Sequence, residues 1–317
     1  MKRLIRLLAS VVITLALVWL LLSKVNIADI LDVLSKASPA NLAICLFFYI
    51  MLMVARAWRF RILLNNKIGF MRLFNITMFH NLMNNIVPFR IGELSYIYLI
   101  KKAKKKYSHG IASLLVSRIF DLISMAIVLI VALMFSDISI ISLPILVFFV
   151  LILIFSAFVL VFKNKFVLLL LKKISKAVSK INKGLSKKLD IYSKELIEAF
   201  SDIKSKETIF LTFMYSLVII GFSMSFTYFL ASTVGFFLPL PVLVIATTAS
   251  ILTTVLPIYG LGGFGTVEAA WTIVLTYFGY SASVAIIIAF SIHIVQLLFS
   301  VILGGIGWLN LKYEEKI

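Results

Sequence analysis

The sequence predicts an all-α polytopic membrane protein: about six spanning helices plus two re-entrant half-helix hairpins in an inverted-topology repeat, with both termini cytoplasmic. Three observations carry that expectation. Of 317 residues, 62% are hydrophobic and 14% charged, with a mean hydropathy of +1.11; a soluble domain carries about 25% charged residues and enough polar surface to cover a globule. Charge-free runs near the roughly 20 residues that cross hydrocarbon recur along the chain. Two further apolar segments are broken in the middle by Pro and Gly, and each has flanks of one kind.

The formal net charge of +18, from 31 Lys and Arg against 13 Asp and Glu, needs a different explanation from nucleic acid. A nucleic-acid binder carries its basic residues on a solvated face, which this composition does not supply. Positive charge collected in cytoplasmic loops fits instead. Cys45 is the single cysteine and there are three histidines, so neither an internal disulfide nor a Cys/His zinc set can form. No metal or other cofactor is expected.

Taken in order, residues 7–23 form the first span, preceded by Lys2, Arg3 and Arg6 and followed by no small-residue cleavage site, so the segment reads as an anchor. Residues 37–55 form the second and run into RAWRFR (Arg56 to Arg61), read as a cytoplasmic loop. Residues 73–100 are apolar but interrupted by PFRIGE (Pro88 to Glu93), and both ends are basic. A hairpin that enters and leaves from the cytoplasm keeps both basic ends inside, as the positive-inside bias prefers. Residues 107–136 form the third span, interrupted by Arg118 and Asp121, and residues 138–162 the fourth.

Residues 163–207 contain 12 Lys against five acids, with apolar residues at three- and four-residue steps from Leu168 to Leu185. This is the pattern of a basic amphipathic linker on the cytoplasmic surface, suited to anionic headgroups. From Thr208 to Leu311 the one formally charged residue is Glu268. That stretch supplies the fifth and sixth spans and, between them, segments 239–256 and 266–280 on either side of PIYGLGGFG (Pro257 to Gly265). Uncharged flanks point to a hairpin from the outside; two full spans are the competing count. The first membrane repeat thus ends at Ser136. The second starts at Ile138, is interrupted by the linker, and is completed by residues 208–317, the whole forming one integral membrane domain.

Five ionisable residues remain at membrane depth: Arg90, Glu93, Arg118, Asp121 and Glu268. Each costs roughly 2.5–3.5 kcal/mol at a helix centre, so each must be paired or face a polar cavity. Arg118 and Asp121 share a helix face, as a self-neutralising ion pair or as substrate contacts. Arg90 and Glu93 stand at the first break and Glu268 after the second, where half-helix N-termini attract anions. Each Glu is readable as a cap of its own helix; their matched placement admits ion coupling as well. Asn81 and Asn85, and His80 and Asn84, lie four apart on the half-helix before the first break. Thr254 lies before the second break, where Gly262 and Gly263 permit a sharp turn. His293 and Gln296 share a face of the last span, read as inter-helix packing.

These residues resemble the flippase-like membrane domain of lysylphosphatidylglycerol synthases. The resemblance covers nearly the whole chain through RAWRFRILL, NIVPFRIGE (Asn85 to Glu93), SRIFD (Ser117 to Asp121) and LPIYGLGGFGTVE (Leu256 to Glu268), in that order. The family often has a basic residue three positions after the first-hairpin Glu; Tyr96 stands there. These 317 residues include no lysyl-transferring domain, so lipid aminoacylation is not implied. The resemblance implies movement of an anionic phospholipid or a polyprenyl-phosphate-linked lipid between leaflets of the cell membrane. Arg90, Arg118 and Asn85 would hold the headgroup, Glu93, Asp121 and Glu268 would balance charge or couple an ion, and His80, Asn81, Asn84, Thr254, Gly262 and Gly263 would support the cavity. Membrane lipids are the expected partners, with anionic headgroups at the cytoplasmic surface.

No G-x-x-x-x-G-K-[ST] loop is present for ATP and no catalytic motif is found. A membrane glycosyltransferase or lipid-modifying enzyme would need clustered acids outside, and Asp29, Asp32 and Asp137 form no D-x-D. A non-transporting scaffold acting through residues 163–207 would leave the five intramembrane charges without a role. Of the basic residues, all but Lys24, Lys36, Arg90 and Arg118 fall in segments assigned to the cytoplasm.

Overall fold

The computed structural model describes residues 14–87, 92–103, 105–135, 173, 183–203, 205–253 and 261–314, and the described residues contain helices, turns and no strand. Helix α1, Thr14–Leu22, bends by 81° into α2, Ile27–Ser35. It ends one residue short of the expected first span; the beginning of that span lies outside the described residues, as do the fourth span at 138–162 and residues 163–172 and 174–182 of the linker.

Helix α3, Pro39–Leu63, starts with Pro at its first position, where a missing N–H costs nothing. It runs 25 residues, about 37 Å at 1.5 Å per residue. The expected loop RAWRFR is therefore a correction: it forms the final turns of α3. Arginine is a good helix former, so the end of the apolar run at Ala55 does not end the helix. The helix stops after Leu63 and the chain turns through Asn65 and Asn66, both at φ 54°, a left-handed conformation asparagine tolerates.

Two shorter helices follow, α4, Phe70–Ile86, and α5, Glu93–Lys102, packed against each other. A Cβ on Gly92 would lie 2.4 Å from the Met83 carbonyl carbon, so α5 begins hard against the last turns of α4. Lys67, in the turn before α4, lies beside Lys105, in the loop after α5. Partial burial, and then the Lys67 charge, lower the Lys105 ammonium pKa, against a smaller opposing pull from Asp202. The two ends of the α4–α5 pair therefore lie close together.

Helix α6, Tyr107–Met134, comes next, and α7, Lys183–Ser201, packs on it. Lys106 pairs with Glu195 at 3.6 Å and His109 with Asp202 at 3.3 Å. Helix α8, Lys206–Thr233, is capped by the Ser205 hydroxyl, which accepts from the Thr208 N–H at 3.0 Å. Helix α9, Leu240–Thr253, and α10, Thr266–Tyr277, form a second packed pair, with a short turn at Leu261–Gly263 before α10. Helix α11, Ala282–Glu314, is the last element among the described residues.

Among the described residues, α3, α6, α8 and α11 are long and apolar enough to cross a membrane, and the bent α1–α2 pair is a fifth candidate. The chain is a multi-pass membrane protein. Exposed Phe47, Leu115, Phe210, Leu298 and Ile302 lie on these candidate spans, where lipid replaces water as the neighbour. The largest core joins α3, α6, α8, α9, α10 and α11. Phe48 stacks on Phe229 at 5.1 Å and Tyr49 meets Phe226 at 5.2 Å, so α3 and α8 lock side by side. Helix α4 packs along α11, and α9 packs on α6. Gly304 and Gly307 permit the α4–α11 approach: a Cβ on Gly304 would sit 2.4 Å from the Leu82 Cβ.

Candidate functional site

The inner faces of α3, α4 and α6 line a partly open cavity with about 400 Å³ of space free of protein atoms, open solvent included. It is lined by Arg56, Arg59, Phe60, Thr77, His80, Asn81, Asn84, Leu114, Ser117, Arg118 and Asp121. Helical spacing puts them there. Arg56 and Arg59 are three apart on α3, Thr77, His80, Asn81 and Asn84 recur at three and four on α4, and so do Leu114, Ser117, Arg118 and Asp121 on α6.

Arg59 is only 3% exposed although it is charged. Its two terminal nitrogens bond both Asp121 oxygens, the second at 3.2 Å, and Nη1 also donates to Ser216 of α8 at 2.7 Å. The planar guanidinium fork suits such a bidentate pair, and the low-dielectric surroundings strengthen it. Arg118 Nη2 lies 2.9 Å from Glu93 Oε1, and Arg118 Nη1 lies 3.7 Å from Asp121. The i, i+3 pair expected on α6 is thus the longer contact, and Asp121 is shared between two arginines. Glu93 is the first residue of α5, so its carboxylate also lies where the helix dipole favours negative charge. Arg56 donates to Asn81 Oδ1 at 3.0 Å.

The α4 polar residues are tied into the frame. Asn81 Nδ2 donates to the Tyr49 hydroxyl at 2.7 Å and to Ser300 of α11 at 3.2 Å. Asn85 Nδ2 donates to the same Ser300 at 2.9 Å, placing Asn85 at the α4–α11 contact. His80 Nδ1 lies 3.3 Å from the Gly92 carbonyl and Nε2 lies 3.1 Å from Asn84 Nδ2, which fits a neutral ring donating to the first and accepting from the second. Nε of Arg59, Nε of Arg118 and Oδ1 of Asn84 are buried and have no hydrogen-bond partner among the described residues. Buried polar groups are nearly always satisfied, so these lining residues keep unmet polar capacity.

Tyr96 is fully buried, packs on Phe60 with ring centroids 4.4 Å apart, and hydrogen-bonds Ser113 at 3.0 Å. An aromatic ring therefore fills the position where the resembled family often has a basic residue.

A second polar centre lies on α10 and α11. Glu268 is fully buried, accepts from the Gly265 N–H at 2.7 Å, and pairs with His293 Nδ1 at 2.5 Å. The capping reading describes half of its role; the partner is His293, which packing alone does not explain. Phe264 stacks on the His293 ring at 4.5 Å. Gly262, at φ 62°, faces α4, and a Cβ there would sit 2.9 Å from the Asn85 carbonyl oxygen. The turn before α10 and the end of α4 therefore meet. Gly263, at φ 80°, continues the same turn. Arg90 and Thr254 lie outside the described residues.

The sequence reading missed Arg56 and Arg59. Their three-residue spacing, identical to that of Arg118 and Asp121, was the signal, hidden by ending the second span at its first charge. Among the described residues no group of three or more His, Cys, Asp or Glu is placed to hold a metal ion. A comparison with curated proteins returns no match. The family model described as the Lysylphosphatidylglycerol synthase TM region matches residues 7–304, and the chain belongs to that family.

Proposed function

We propose that the protein moves an anionic phospholipid or a polyprenyl-phosphate-linked lipid between leaflets, its headgroup held in the arginine-lined cavity while the tails stay in lipid. The observation that carries this reading is the charge of the cavity. Among the described residues Arg56, Arg59 and Arg118 face Asp121 and Glu93, leaving one positive charge in excess in a partly buried site. A buried charge excess is costly unless a counter-charge arrives. The family name, with its phospholipid synthase, agrees with a lipid as that counter-charge.

The helix arrangement supports alternating access. Helix α3 packs on α8, α4 on α11 and α9 on α6, the contacts that two copies of span, span, broken hairpin, span make around a pseudo-twofold. The closeness of the two ends of the α4–α5 pair supports a re-entrant first hairpin. The meeting of Gly262 with Asn85 joins the two breaks, the place where transporters with discontinuous helices bind substrate. Both termini and the basic linker belong on the cytoplasmic side of the cell membrane, where anionic headgroups meet the lysines. Glu93, Asp121 and Glu268 balance the cations or exchange protons or sodium as the halves rock.

Native mass spectrometry of lipid retained through purification tests the reading. An anionic phospholipid or polyprenyl-phosphate species enriched over the bulk membrane is the expected result. Retained lipid that matches bulk composition would overturn it.

A further inference from the structure

We infer that Arg56 is the residue that contacts the lipid phosphate, and that Asn81 keeps it free to do so by holding it without neutralising it. This rests on the anionic-lipid reading and assigns the contact within it. Of the three described arginines in the cavity, two are already committed. Arg59 is bidentate to Asp121, and Arg118 pairs with Glu93 at 2.9 Å. Among the described residues Arg56 takes part in no ion pair; its partner is the neutral Asn81 Oδ1 at 3.0 Å.

The two kinds of partner have different consequences for an arriving anion. A phosphate that approaches Arg59 or Arg118 must displace or share a carboxylate and meets its repulsion. A phosphate that approaches Arg56 displaces at most an amide oxygen and gains a charge-assisted, fork-shaped contact. An asparagine at position 81 also holds the guanidinium still: its amide nitrogen is fixed by Tyr49 of α3 and Ser300 of α11. Arg56 is therefore preorganised, which lowers the entropy lost on binding. The same amide links the anion contact to α11, so lipid arrival and the α4–α11 contact bear on one side chain. Arg59 and Arg118 act as positioning residues that set the cavity's shape and potential.

The test is titration of delipidated protein with phosphatidylglycerol and phosphatidylcholine, read by native mass spectrometry, for wild type and for Arg56→Gln, Arg56→Lys and Asn81→Asp. Asn81→Asp keeps the shape and can still bond the Tyr49 and Ser300 hydroxyls, but it supplies Arg56 with a carboxylate. Phosphatidylglycerol binding is expected to fall about tenfold or more in Arg56→Gln and in Asn81→Asp, as for a lost charged hydrogen bond. Arg56→Lys should retain part of it. Thermal unfolding of Asn81→Asp close to wild type separates lost binding from lost fold. If wild type prefers phosphatidylglycerol and both Arg56→Gln and Asn81→Asp bind it equally well, the inference is overturned and the anionic-lipid reading stands. If wild type shows no preference for phosphatidylglycerol over phosphatidylcholine, the inference falls together with the anionic-phospholipid form of the reading.

Discussion

Arg59 on α3 and Asp121 on α6, 62 positions apart, form a bidentate ion pair whose arginine is 3% exposed. The pair ties α3 to α6, and through Ser216 it ties both to α8. Breaking it by removing one partner leaves the other charged group without its counter-charge. Asp121→Ala is expected to cost about 3 kcal/mol of stability, read as thermal unfolding in detergent. The apolar double substitution Arg59→Met with Asp121→Leu should recover most of the loss. A single variant as stable as the double one would show that the pair carries no net structural role.

The approach of α4 to α11 is set by glycine. Gly304→Ala would drive a Cβ to 2.4 Å from the Leu82 Cβ, so the helices must separate, at about 1–3 kcal/mol. The separation would also strain the bonds from Asn81 and Asn85 to Ser300. Gly305, whose Cβ would meet nothing within 4 Å, is the matched control: Gly305→Ala should change stability by less than about 0.5 kcal/mol. Equal unfolding temperatures for the two variants would remove the close-approach explanation.

Glu268 and His293 fasten α10 to α11 at a fully buried carboxylate. His293→Leu takes away one of its two hydrogen-bond donors and is expected to destabilise by about 1–3 kcal/mol. His293→Gln, which still offers an N–H, should lose less. The comparison is again thermal unfolding, and a Gln variant no better than the Leu variant would count against the hydrogen bond as the source.

Much of this fold was legible because hydrophobic runs and their interruptions report helices directly. The break at PFRIGE does separate α4 from α5, and PIYGLGGFG does fall between α9 and α10. The polar face His80, Asn81 and Asn84 was legible too, since three- and four-residue spacing fixes a helix face whatever the neighbours are. Arg56 and Arg59 were not, because a charge at the end of an apolar run looks the same in a solvated loop and in a helix turned inward. What separates the two cases is a partner on another helix, Asp121 for Arg59 and Asn81 for Arg56, and spacing along one helix cannot reveal it. The pairing of Glu268 with His293 was hidden for the same reason: local sequence shows a cap, while the partner comes from another helix. The 81° bend between α1 and α2 had no signal in composition.

Leaflet exchange of fluorescent phosphatidylglycerol in liposomes, followed by quenching of the outer-leaflet dye, tests the transport reading most directly. Wild type should exchange the lipid well above protein-free liposomes. Arg118→Gln, which removes one cation and with it the cavity's excess positive charge, should slow exchange about tenfold or more, on the scale of a lost charged interaction. Wild type no faster than protein-free liposomes, or Arg118→Gln as fast as wild type, would contradict an anionic headgroup passing through this cavity.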